Sequence, residues 1–129
     1  MSMIERISHT KGVSNLKLAS DDLKLEIYKL TLNEIFIALG QDLQGLPKNY
    51  VDDLKNGLQE TINGFYQLRI KSIANTININ AIMPKFIEAN TKLLSATTLL
   101  GAGKIKSDKY YKSLQICRER IFEILELLA

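Results

Sequence analysis

Apolar residues recur three and four positions apart along most of this chain, a spacing that predicts helices rather than strands. It is clearest after Pro47, where Val51, Leu54, Leu58, Ile62, Phe65 and Leu68 fall on one face. Four helices are expected, over residues 21–42, 48–75, 80–101 and 107–128. The first opens at Ser20-Asp21-Asp22, which supplies an N-cap and acids for the helix dipole, and it ends near Gly40 to Gly45. Gly57 and Gly64 weaken the second by about 1 kcal/mol each unless close packing offsets the loss. The third takes Ile82, Met83, Phe86, Ile87, Leu93, Leu94 and Leu100 as its apolar set. Pro84 is tolerated only in a first turn, so this helix should begin between Asn80 and Met83. Ser107, followed by Asp108, caps the fourth. The intervening "NTININ" alternates and reads as a short extended link, too brief for a sheet. Helices of about twenty residues on short connections make an all-α, antiparallel up-down four-helix bundle over residues 21–129. Residues 1–20 show no clear period and read as an N-terminal arm or tail.

The first helix has two apolar faces. Leu25, Tyr28, Leu32, Ile35, Phe36, Leu39 and Leu43 form a core stripe. Opposite lie Leu23, Ile27, Leu30 and Ile37, interrupted by Glu34 and Gln41. An outer helix face should be polar, so the second stripe is expected to be buried against another subunit or the N-terminal arm. Homo-oligomerisation is the preferred reading, because an exposed stripe of this size is a liability. On the fourth helix Leu114, Cys117, Ile121, Leu125 and Leu128 face the core, and Tyr111, Arg118 and Phe122 line one flank. That flank reads as an oligomer contact, a base-stacking surface or the edge of a wide core stripe.

Charge is segregated along the chain. From Ser20 to Glu60 eight acids face four lysines, whereas from Arg69 to Arg120 ten basic residues face only Glu88, Asp108 and Glu119. Lys104, Lys106, Lys109, Lys112 and Arg120 cluster around the start of the fourth helix. At the same pole of a bundle Lys48 would extend the cluster and Asp52 and Asp53 would dilute it. Such clusters attract phosphate backbones through charge and counterion release, without reading sequence. Tyr110 and Tyr111 beside the lysines would add stacking. The competing reading is a solvated face whose lysines keep the protein soluble.

Candidate chemistry narrows the picture by elimination. "LLGAGKIKSDKYYKSLQ" looks like a phosphate-binding loop, but Thr98 stands where the first glycine is required and Ile105 where Ser or Thr would hold magnesium. A helix rather than a strand precedes it, so Gly101 and Gly103 read as left-handed C-caps. No Glu-x-x-His is present, which argues against a di-iron bundle. Some helical-bundle RNases place a histidine shortly after an arginine on a helix. Here the single histidine, His9, falls in the expected tail. Cys117, the single cysteine, faces the core without a histidine partner and reads as a structural thiol. No metal, cofactor or catalytic residue is expected. "MSMIERISHTKG" lacks a signal-like apolar core, and Ser72 to Pro84 is too rich in asparagine to span a membrane, so a cytoplasmic protein is expected.

"LEIYKLTLNEIF", "LPKNYVDDLKNGLQETI" and "TKLLSATTLLGAGKIKSDKYYKSL" together resemble a known group. It comprises the rRNA intervening-sequence proteins and the accessory variability determinants of diversity-generating retroelements. The resemblance covers about Leu25 to Leu128, with "EILELLA" in place of the family's GGW-like close. It implies a ring-like oligomer, commonly a pentamer, with a basic surface that binds RNA or DNA without strong sequence preference. In the retroelement branch it also implies a reverse-transcriptase partner. On this chain the role would fall to Lys104, Lys106, Lys109, Lys112 and Arg120, with Arg69, Lys71 and Arg118 as outlying members. The alternative is a helical adaptor that receives a protein partner on its apolar stripe, with no nucleic-acid role.

Overall fold

The computed structural model describes residues 1–41, 48–69, 79–103 and 107–129. Among them are five α-helices and no strand: α1 (Met3–Thr10), α2 (Asp21–Leu39), α3 (Lys48–Arg69), α4 (Ile79–Gly101) and α5 (Asp108–Leu128). A 3-10 turn at Leu16–Leu18 links α1 to α2. Ser20 and Ser107 cap α2 and α5, their hydroxyls accepting from the amides of Leu23 and Tyr110 at 3.2 Å.

Several boundaries differ from expectation. α2 stops at Leu39, because the Gly40 amide closes the last turn on the Phe36 and Ile37 carbonyls. α4 starts at Ile79, which takes Ile79 and Asn80 out of the expected extended link and places Pro84 inside the helix. The proline withholds the amide that would bond the Asn80 carbonyl, a loss tolerated near the helix start. Gly103 is left-handed, with φ +76°, whereas Gly101 stays helical as the last residue of α4. Leu43, residues 70–75 of the second expected helix and Asn75–Asn78 of the link lie outside the described residues.

The N-terminal segment is no tail. The Ser2 hydroxyl accepts from the Glu5 amide and donates to the Glu5 carboxylate, an N-cap that starts α1. At the other end Gly12 takes φ +75°, and the Gly12 and Val13 amides reach back to His9 and Ser8. That is a Schellman close, with buried Val13 as its apolar residue. Met3, Ile4 and Ile7 enter the core as α1 lies across α2 and α3.

The four long helices form a closed circuit of neighbours: α2 packs on α3 and α5, and α4 packs on α3 and α5. α4 and α5 run antiparallel, since Lys85 meets Glu123 and Glu88 meets Arg120. The expected stripe of α3, Val51 to Leu68, is buried throughout. Tyr28, Phe65 and Phe86 carry an aromatic chain from α2 through α3 to α4, with centroids 5.7 and 5.1 Å apart. In α4, by contrast, Ile87 and Leu94 face outward. In α5 Ile124 is buried and Leu125 is only half-buried, so the core stripe lies slightly to one side of the expected line.

Close approach explains Gly64. A Cβ there would stand 2.3 Å from Cζ of Tyr28, whose ring end lies across the α3 backbone. Gly64→Ala is therefore expected to destabilise by about 1–2 kcal/mol, overpacking outweighing the propensity gain. Gly101→Ala, with no atom within 4 Å, should instead be neutral or stabilise by up to about 1 kcal/mol. Urea denaturation of the two variants checks both signs.

Candidate functional site

Among the described residues, two of the expected basic set are exposed. Lys109 and Lys112 lie in the first turns of α5, exposed and without an ion pair among the described residues. The helix N-terminus adds its own partial positive charge. Lys104, Lys106 and Lys71 lie outside the described residues, and Arg69 ends α3 with its side chain undescribed, as is that of Lys48.

Arg118 and Arg120 are engaged inside the chain. The Arg118 guanidinium sits 4.0 Å over the Phe36 ring and donates from Nε to the Phe36 carbonyl at 3.4 Å. Gly40 makes the approach possible, because a Cβ there would come within 2.7 Å of Arg118 Nε. A cation is thus placed on the C-terminal carbonyls of α2, where the helix dipole favours it. Arg120 lies between Glu123 and Glu88, and Glu123 also holds Lys85. Hydrogen bonds to Glu123 and Glu88 push the Arg120 guanidinium above its ordinary range. Those from Lys85 and Arg120 hold Glu123 below the usual carboxylate range. Both arginines are thus engaged within the chain. Tyr110 is not open for stacking: its ring is buried, its hydroxyl is unpartnered among the described residues, and half-buried Tyr111 meets it edge-on at 5.2 Å.

The second apolar stripe of α2 is divided between two environments. Ile27 is 0% exposed, enclosed within the chain and withdrawn from any oligomer contact. Arg6 reaches Glu34 and Lys11 reaches Glu26, so α1 lies along this side of α2. Leu23 is half-buried. Leu30 and Ile37 remain open, at 37% and 52% exposure, and Phe122 on α5 is 48% exposed. Phe122 stacks on Phe36 at 5.6 Å, and half-buried Leu25 and Leu125 continue the apolar strip between the two helices. Leu30 shares a shallow groove with Leu25 and Leu125, so part of the second stripe opens onto the α2–α5 seam.

His9 and Arg6 share α1, contrary to the expectation that no histidine follows an arginine on a helix. They do not converge. The Arg6 guanidinium bonds both carboxylate oxygens of Glu34 at 2.7 Å, whereas His9 lines a cleft of about 350 Å³ between α1, the 3-10 turn, α2 and α3. Sequence reasoning missed this cleft because it left residues 1–20 unstructured. The signals were Ser2-x-x-Glu5 and Lys11-Gly12-Val13, a start and a stop for a short helix.

Among the described residues no three of His, Cys, Asp and Glu are grouped to hold a metal ion, and no helix is long and apolar enough to cross a membrane. No protein-family model matches the chain, nor does any curated protein or solved structure.

Burial pushes the Cys117 thiol from 9.0 up to about 12. It also raises Tyr28, with Asp21 adding, and Tyr110, with Tyr111 adding. Above the ordinary thiol range the unfolded chain gives up a proton that the folded chain keeps, so stability must fall as pH rises. Denaturation between about pH 8 and 11 should show that decline, and Cys117→Ala should flatten part of it. Alkylation of native Cys117 by iodoacetamide should proceed only as fast as the protein opens.

Proposed function

We propose that this protein is a non-enzymatic, homo-oligomeric accessory protein that holds RNA or DNA by phosphate contacts. In this reading α2 to α5 form an antiparallel up-down bundle over residues 21–129, residues 1–20 are an arm docked on it, and the setting is the cytoplasm. The observation that carries the reading is the pair Lys109 and Lys112, exposed and unpaired among the described residues at the N-terminal end of α5. Two lysines per chain bind phosphate weakly, and an oligomer repeats them on one particle, so avidity supplies what one copy lacks. The exposed Leu30, Ile37 and Phe122 of the α2–α5 seam supply the contact between copies. Resemblance to the diversity-generating retroelement group extends the reading to a pentameric ring working beside a reverse transcriptase.

A second reading, a protein-binding adaptor, is favoured by the same seam. It assigns Leu30, Ile37 and Phe122 to a different partner chain and leaves the lysines solvated.

Light-scattering mass with and without a mixed-sequence structured RNA, across a salt series, separates the two. The first reading expects a mass several times that of one chain. It also expects a log–log salt slope of about −1.8 per bound subunit on duplex, or about −1.4 on single strands, for two phosphate contacts. Lys109→Glu with Lys112→Glu should abolish binding without changing the mass. A monomer indifferent to RNA overturns this reading and leaves the adaptor.

A further inference from the structure

The cleft beneath α1 has features that neither surface lysines nor subunit contacts account for. At about 350 Å³ it lies at the small end of the range for ligand pockets, roughly 300–1,000 Å³. It is lined by charges of both signs. Glu5 of α1 and Glu60 of α3 supply carboxylates, and Lys17 of the 3-10 turn and Lys24 of α2 supply ammonium groups. No ion pair among the described residues joins these carboxylates to these ammonium groups, although all four side chains line the same space.

Tyr28 lines the cleft as well. Its ring is almost fully buried, yet its hydroxyl makes no hydrogen bond among the described residues. The hydroxyl lies against Gly64, which has no side chain to fill the place, and Glu60 and Gln67 line the cleft one turn to either side of Gly64 on α3. The hydroxyl is not among the fully buried unpartnered atoms, so it opens on the cleft and is free to donate to a ligand there. Asn15 offers further donors, since its Oδ1 is spent on the Lys17 amide and its side-chain NH2 is left over.

We propose that this cleft binds a small zwitterion, its ammonium group held by Glu5 and Glu60, its acidic group by Lys17 and Lys24, with Tyr28 donating to it. A singly charged ligand would leave one pair of like charges uncompensated, so the site selects molecules that carry both charges. The raised affinity of Glu60 for its proton, from burial and then from Glu5, fits a carboxylate pair that lacks its counter-cation. The proposal is independent of the nucleic-acid reading, because Lys109 and Lys112 take no part in it.

The test is a titration of the full chain, followed by amide chemical shifts, with straight-chain ω-amino acids from glycine to 6-aminohexanoate. Alkylamines and alkanoates of matching length serve as singly charged controls. Saturable shifts centred on Ser8, Tyr28 and Gln67 are expected for at least one zwitterion, with the controls weaker by about tenfold or more, the loss of one charge-assisted contact. Tyr28→Phe keeps the ring and its packing, and should weaken binding several-fold. Glu60→Gln should weaken the zwitterion more than the alkanoate. The proposal is overturned if no zwitterion gives a saturable shift at the cleft, if the controls bind equally well, or if neither variant changes affinity.

Discussion

α2 carries apolar side chains around most of its circumference, and the arrangement of the other helices is the set of neighbours that covers them. Tyr28, Leu32, Ile35 and Leu39 face the interior shared with α3 and α5. Ile27 and Thr31 are closed off on the side where α1 lies, and Phe36 is half-covered from α5 by Arg118 and Phe122. A helix with one stripe would have been served by a four-membered circuit alone. The extra width of the α2 stripe gives α1 its seat. What is still uncovered, Leu30 and Ile37, is the remainder after every described helix has been used.

Among the described residues, part of the charge in the basic second half of the chain is already engaged. Arg120 and Lys85 spend their charge on Glu88 and Glu123 across the α4–α5 pair, and Arg118 spends its own on an aromatic face and a helix end. Such partly exposed pairs contribute little to stability, typically about 0–1 kcal/mol each. Their larger effect is on the surface field, because a cation 3 Å from a carboxylate offers little to a distant phosphate. Charge segregation in sequence counts residues; the surface depends on which of them are already paired.

What could be read in advance was local. The caps at Ser20 and Ser107, the α3 stripe from Val51 to Leu68 and the left-handed Gly103 each follow from a few adjacent residues and appear as expected. What could not be read depends on partners far along the chain. Ile27 looked like an interface residue because the helix that encloses that side of α2 lies in a segment too short to show a period. Arg120 looked free because Glu88 is thirty-two positions away. Ile87 and Leu94 looked buried because periodicity marks a stripe without saying how wide a neighbour will cover it. The cleft was invisible for all these reasons together, being built from four separate pieces of chain.

The seat of α1 also orders events in time. Met3 rests on Gly57, its sulfur 3.0 Å from where a Cβ would stand, so residue 3 finds its place only once α1 lies against α3. α4 and α5 are successive helices whose contacts close short loops, and short loops cost the least entropy to form. Local pairs of this kind form early and distant ones late. The segment that comes first along the chain is thus expected to be among the last to settle, and its release would disturb few of the contacts that the other helices make with one another.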